Sequence, residues 1–387
     1  MRVLGFLVGL AIVVGVATSV FTTLVVPRTT SSRLLRGLAR LLARVGRTIL
    51  KRIGSYEVKD RVLAIVGPLA LVLLFVLWLA ALVVGFGFMA WWTNETTLAS
   101  AMKVAGSSVF TLGFATGSYA QSEVLEFVAA GTGLLVIALE IAYLPALYSS
   151  FSTRETAVTM LASRAGVPAW GPEILARHHW FRTTDELPGL YARWEEWSAN
   201  VAESHTSYPT LMWFRSPVST RSWLLALLAM LDAAALQDSL NPGTTPRQAR
   251  VMLAGGTDCL RALARALRIR FEPDPRPVDG IRLTFEEFQR GVHRLKAVGY
   301  AMERSPEEAW RNFQGWRINY EHIVDVLTEL VMPPPAPWLL PRPGLGAVSW
   351  PVVVDRTPDD PEPAKGSKDN PETEEVPDPK GIKGLPV

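Results

Sequence analysis

Residues 97–120 read TLASAMKVAGSSVFTLGFATGSYA, and the fold turns on how this stretch is taken. It is too short and too polar to cross a bilayer. Yet it lies between two long apolar runs, Val62–Trp92 before it and about Val124–Tyr148 after it. A short helix over Leu98–Phe110 followed by a Gly-rich turn has the form of a re-entrant loop. Irregular backbone at membrane depth is tolerated only where protein or a water-filled cavity surrounds it. The competing reading is a loop of small residues packing a helical hairpin, where Gly and Ala permit close approach.

Working outward, a third apolar run, Val3–Val26, precedes these two and carries no charge. At about 1.5 Å per residue each run is long enough for a hydrocarbon core of about 30 Å. Val62–Trp92 ends in Trp91-Trp92, a pair suited to a membrane–water interface. Glu140 is the acid in the middle of the last run, with Glu126 near its start. A cleaved signal peptide is the alternative for the first, with Ala17-Thr18-Ser19 as its processing site. Against it, the apolar run continues to Val26, and cleavage would leave a basic segment on the translocated side.

That basic segment sets the orientation. Residues 28–61 hold ten Lys and Arg against two acids, so the positive-inside bias puts them in the cytosol. The N-terminus and residues 93–123 are then outside, and residue 152 onward is cytosolic. Leu34, Leu35, Leu38, Leu41, Leu42, Val45 and Ile49 share one helical face, with Arg33, Arg36, Arg40, Arg44, Arg47 and Lys51 mostly on the other. This predicts an amphipathic helix lying on an anionic inner leaflet. The expected location is the cell membrane.

Composition agrees. Hydrophobic residues make up 49% and charged residues 19%, with a net charge of only +3. Cys259 is the only cysteine, so neither an intrachain disulfide nor a Cys-based zinc cluster can form.

Ser108-Val109-Phe110-Thr111-Leu112-Gly113-Phe114-Ala115 resembles the filter signature of potassium channels, Thr-x-x-Thr-x-Gly-Tyr-Gly. Thr111 and Gly113 match, Ser108 and Phe114 stand for Thr and Tyr, Ala115 replaces the last Gly, and Thr116 replaces the Asp that usually follows. Ala142-Tyr143-Leu144-Pro145-Ala146-Leu147-Tyr148 with Ser152-Thr153-Arg154-Glu155, and Val26-Pro27-Arg28, are similar to segments of bacterial potassium-channel-like proteins that carry an extra N-terminal helix. The resemblance covers about residues 1–165. It implies a homotetramer in which backbone carbonyls of Thr111, Leu112, Gly113, Phe114 and Ala115 replace the hydration shell of a monovalent cation, most simply potassium. The short helix would aim its negative end at the cavity. Ala115 is expected to strain the filter, because the position it fills calls for positive φ.

An intramembrane carboxylate is costly and should face water or a partner. Inward-rectifier potassium channels carry an acid at a similar distance past the filter, so the resemblance implies that Glu140 lines the cavity. The alternative is an acid bonded to Tyr143, Tyr148 or another helix. Gly131 and Gly133 fall where an inner-helix hinge would lie, or serve as packing contacts.

Residues 152–335 read as a helical domain. Leu224–Leu236 and Val251–Ile269 have helical apolar patterns, and Ser305-Pro306-Glu307-Glu308 is a helix start with Ser as cap and Pro first. No Rossmann glycine turn, P-loop or His-Glu-x-x-His is present, so no enzyme, catalytic residue or cofactor is expected. His178, His205 and Glu203 or Asp185 would serve as a metal site, but their spacing does not demand one, and no metal is expected. The eight tryptophans between residues 152 and 335 suit a helical core. Residues 336–387 read as a Pro-rich disordered tail.

The sequence therefore predicts an all-α membrane protein. Residues 1–27 form a transmembrane helix, 28–61 an interfacial helix, 62–151 a pore domain with a re-entrant loop, and 152–335 a cytosolic helical domain. The expected function is a pore-loop cation channel coupled to that domain, with membrane lipids as partners and no nucleic acid. The altered filter leaves selectivity open. The alternative function is a non-conducting membrane scaffold or sensor of channel-like shape.

Overall fold

The computed structural model of the protein describes residues 2–25, 55–92, 97–117, 120–276 and 280–339. These residues are helical throughout, with no strand among them.

Helix α1 spans Arg2–Val20 and closes with a π-helical turn, Phe21–Val25. Helix α2 spans Tyr56–Trp92, 37 residues and so about 55 Å long. It begins six residues before the apolar run does. Residues 56–61, assigned above to an interfacial helix, are thus the first turns of α2. The remainder of that amphipathic stretch, 28–54, lies outside the described residues. The two helices pack antiparallel: Phe6 meets Trp92 at 5.0 Å, and the Trp78 indole donates to Ser19 Oγ at 3.1 Å. Gly9 and Gly85 let the backbones touch, since a Cβ on Gly85 would lie 3.0 Å from the Gly9 carbonyl oxygen.

Helix α3, Leu98–Val109, is short and wedged between α2 and α4. Thr97 caps it by accepting a hydrogen bond from the Ser100 amide at 3.1 Å. Helix α4 runs unbroken from Ala120 to Ala165, 46 residues and about 69 Å. The border expected between residues 151 and 152 therefore falls inside one helix, which joins the apolar bundle to the helical domain without a linker.

The helical domain follows as α5 (Gly171–Trp180), α6 (Leu187–Ser207), α7 (Trp223–Leu240), α8 (Arg247–Leu267), α9 (Phe285–Ala297), α10 (Pro306–Arg317) and α11 (Glu321–Val331). Among the described residues, four helices are long and apolar enough to cross a membrane: α1 with its π turn, α2, α4 and α7. Every residue of α7 is buried, whereas fewer than half the residues in the apolar windows of the other three are. A helix apolar on all sides belongs in a core, and α7 is the core of this domain. Its Asp232 takes the Arg317 guanidinium at 2.8 Å and the Tyr320 hydroxyl at 2.8 Å. Trp194, Trp197 and Trp223 are buried in the same core, and Trp213, Trp310 and Trp316 pack against it.

Ser305 heads α10 with a reciprocal capping box to Glu308, and Thr284 does the same for α9 with Glu287. Residues 336–339, expected as the start of a disordered tail, belong to this core: Trp338 is buried, its indole donates to the Glu287 carbonyl at 2.8 Å, and its carbonyl accepts from Arg317 at 2.6 Å. Residues 340–387 lie outside the described residues.

Candidate functional site

The site is built on the C-terminal end of α3. Ala101, Val104, Ala105, Ser107 and Val109 are buried, at the spacing of a helix enclosed on two sides. The chain then reverses. The Thr111 amide donates to the Ser108 carbonyl at 2.9 Å and the Leu112 amide to the Ser107 carbonyl at 2.8 Å. Thr111 has φ +55° and Gly113 φ +70°. The returning limb runs back along α3: the Phe114 ring lies 5.8 Å from the Lys103 ammonium, and the Ala115 amide donates to Ser107 Oγ at 3.1 Å. The Gly117 amide then donates to Glu126 Oε1 on α4 at 2.6 Å.

Five successive backbone carbonyls, those of Thr111, Leu112, Gly113, Phe114 and Ala115, accept no hydrogen bond among the described residues. Backbone acceptors without a protein partner need water, an ion or another chain. Leu112 is 63% exposed and Phe114 60%. The segment thus presents bare carbonyls and large apolar side chains together. Ala115 does not carry the expected strain, because its φ is not positive. Thr111 does instead: a Cβ-bearing residue in the left-handed region costs about 1 kcal/mol, and the two turn hydrogen bonds to Ser107 and Ser108 hold it there.

Glu140 is 8% exposed. It shares the buried stripe of α4 with Ala129, Gly133, Val136, Tyr143 and Leu147, while Gly131, Leu134, Ala138 and Ile141 face outward. Within the chain, the Glu140 side chain turns inward among the chain's own helices. The rotation of α4 decides this. Gly133 faces the Val109 carbonyl, where any Cβ would collide. Tyr143 packs on Phe75 of α2 at 6.4 Å and on Tyr208 of the helical domain at 5.3 Å. Glu140, seven residues past Gly133 and three before Tyr143, has to follow them. Its Oε1 has no hydrogen-bond partner, from Tyr143, Tyr148 or any other described residue. Gly133 is therefore a packing contact. Gly131 stands open to the outside, and the helix passes straight through both.

A second constellation joins the helical domain to the two long helices. It centres on residues 208–215, which include the tight turn Pro209–Trp213. Leu211 is fully buried with Leu71 of α2 and Tyr143 and Leu147 of α4. Phe214 packs where Gly67 of α2 lacks a Cβ, and lies 5.7 Å from Phe151 of α4. Arg154 of α4, 2% exposed, donates to the carbonyls of Leu211 at 2.8 Å and Phe214 at 2.7 Å, and pairs with Glu155 at 2.7 Å. Its Nη1 also meets His205 Nε2 at 2.9 Å. Burial, reinforced by the Arg154 charge, holds the His205 imidazole well below its ordinary pKa of 6.5, hence neutral. Arg215 donates to Asp60 at 2.5 Å, to the Tyr56 hydroxyl at 2.7 Å, and to the carbonyls of Val331 and Met332 that end α11.

His178, the other histidine weighed as a metal ligand, is buried with Nδ1 against the Ile174 carbonyl at 2.8 Å. No cluster of three metal-ligating side chains occurs among the described residues. The bridging role of residues 208–215 was not visible in the sequence, although Arg154-Glu155, the first charged pair after the apolar run of α4, lies on one side of it. No protein-family model, curated protein or solved structure matches this chain.

Proposed function

We propose that this protein is a pore-loop cation channel, assembled as a homotetramer in the cell membrane, that conducts monovalent cations and is coupled to its helical domain. The N-terminus lies outside and the helical domain in the cytosol, with α1, α2 and α4 crossing the bilayer. The reading is carried by one observation: five consecutive unpartnered carbonyls on a loop that reverses at the end of a short helix wedged between two long apolar helices. Carbonyl rings of this kind substitute for a cation's water shell when several chains bring them together. The local charge supports a cation, since Glu123 and Glu126 outweigh Lys103 between residues 97 and 130.

Coupling follows from the continuity of α4 and from residues 208–215. A shift of the helical domain pulls on α2 through Arg215 and on α4 through Arg154, and both helices hold α3. Anionic lipids at the basic segment 28–54 are the expected membrane partners.

The test is the reversal potential of the purified protein in a planar bilayer with potassium on one side and sodium on the other. A cation current supports the proposal, and a reversal near the potassium equilibrium value shows selection. Absence of current at every voltage and lipid composition favours a non-conducting scaffold of the same shape. That second reading has one observation of its own: the Lys103 ammonium beside Phe114 sits close to the loop and repels cations.

A further inference from the structure

In the filter pattern that residues 108–115 resemble, an acid follows the last Gly; here Thr116 stands in that place. The outgoing limb of the loop is nevertheless pinned twice. Ser107 Oγ accepts from the Ala115 amide at 3.1 Å, and Glu126 Oε1 accepts from the Gly117 amide at 2.6 Å. The first anchor belongs to α3 and the second to α4, so the limb is stretched between two helices that pack on each other. Gly117 itself has no room for a side chain, because a Cβ would collide with Ser122. The bond to Glu126 is the shorter of the two. Between the anchors and the turn at Thr111 lie the five bare carbonyls, whose directions are fixed only at these two ends.

We propose that Glu126 is a positioning residue for ion discrimination: by holding Gly117 from α4, it fixes the angle at which the carbonyls of Gly113, Phe114 and Ala115 meet a permeating ion. This rests on the channel reading above and names the residue that regulates the same site. Glu126 touches the backbone and not the ion, so its acceptor oxygen is what counts, and its charge is secondary. Glu123, exposed one turn earlier on α4, makes no hydrogen bond to the loop and serves as the internal control.

The experiment compares full-length wild type with Glu126→Ala, Glu126→Gln and Glu123→Gln in planar bilayers under potassium against sodium. Hydrogen exchange of the segment 110–117 is followed in the same preparations. Glu126→Ala is expected to change the permeability ratio by about fivefold, the equivalent of one hydrogen bond of about 1 kcal/mol. It should also speed exchange of the segment by about tenfold. Glu126→Gln keeps an acceptor oxygen and should stay near wild type, as should Glu123→Gln. The proposal is overturned if Glu126→Ala leaves the ratio and the exchange unchanged. It is equally overturned if Glu126→Gln and Glu123→Gln move the ratio as far as Glu126→Ala, since charge at the mouth would then be the cause. A wild type that carries no cation current removes the channel reading and the discrimination role together. The exchange rates distinguish that failure from a failure of the anchor, which is visible whether or not ions pass.

Discussion

Arg215 and Asp60 stand 155 residues apart in the chain and meet at 2.5 Å, with both side chains almost wholly buried. Asp60 lies in the second turn of α2, and Arg215 ends the segment that docks the helical domain. The same guanidinium covers the open carbonyls of Val331 and Met332 at the C-terminus of α11, where a cation is favoured. One side chain therefore holds the first turns of a long apolar helix to the last helix of the domain.

Arg215→Ala leaves Asp60 buried without its cation and the Val331 carbonyl without a donor, while Met332 keeps the Tyr56 hydroxyl at 3.3 Å. Losing one partner of a buried pair costs about 3 kcal/mol. The thermal transition of the detergent-solubilised protein should fall accordingly. Asp60→Asn should cost less, because Arg215 keeps its bonds to Val331 and Met332. A double-mutant cycle should return a coupling of about 1 kcal/mol or more; additive effects would show that the contact does not bind the two parts together.

His205 predicts the sign of the pH dependence. The folded imidazole is neutral, held so by burial and by Arg154, with the Ser204 hydroxyl at Nδ1 and the Trp223 ring beside it. Below its ordinary pKa of about 6.5 the unfolded chain takes up a proton that the folded chain refuses. Stability contributed by the neutral ring is thus present above pH 6.5 and is lost as pH falls. Thermal midpoints should drop between about pH 8 and pH 5.5. His205→Gln keeps an acceptor for Arg154 and should flatten the slope in part. His178, also lowered by burial, adds to the slope, while Asp232 and Asp325, each pushed up to about 6 by burial, oppose it below that pH. An unchanged slope in His205→Gln would place the proton uptake elsewhere.

Gly131 and Gly133 should respond to alanine with opposite signs. Gly133→Ala drives a methyl group into the Val109 carbonyl, so α3 must move, and the loop after it with it. A loss of about 2 kcal/mol is expected, in the range of overpacked sites. Gly131→Ala meets nothing within 4 Å and should gain up to about 1 kcal/mol from helix propensity. Thermal scans of the two variants side by side decide this, and a hinge at Gly131 would instead make its alanine variant costly.

How much of this was legible in the sequence depends on the range of the interaction. Local signals were readable: the start and length of α3, the Ser305 cap, and α7 as an apolar helix. The ends of α2 and α4 were not, because helix propensity continues past the apolar run. Residues 56–61 and 152–165 are polar extensions, so the sequence groups the first with the interfacial helix and the second with the helical domain. Residues 208–215 carry no periodic pattern, and their partners are Tyr56, Asp60, Gly67 and Arg154, all more than fifty residues away. Trp338 was taken for tail because prolines surround it, yet one buried indole and one carbonyl on Arg317 suffice to dock it.

Glu140 shows where periodicity fails, and its variants test the resulting assignment. Both the inward stripe of α4, with Val136 and Leu147, and the outward one, with Leu134 and Ile141, are apolar. Pattern alone cannot say which faces the chain. Within the chain, Gly133 against Val109 and Tyr143 against Phe75 turn the carboxyl inward, with Oε1 unpartnered. An unpaired buried polar group is a cost, so removing it should not destabilise. Glu140→Met, similar in length and apolar, should hold or raise the thermal midpoint, by up to about 2 kcal/mol. In the channel reading, Glu140→Gln should leave the potassium-to-sodium ratio and the single-channel current at wild-type values, because no ring of carboxylates faces the ion path. A fall in current on this substitution would mean that α4 turns by about a quarter of a revolution in the assembled channel, bringing Glu140 out and Gly133 off Val109. The same rotation would then make Gly133→Ala harmless, so the two variants measured together admit only one orientation of the helix.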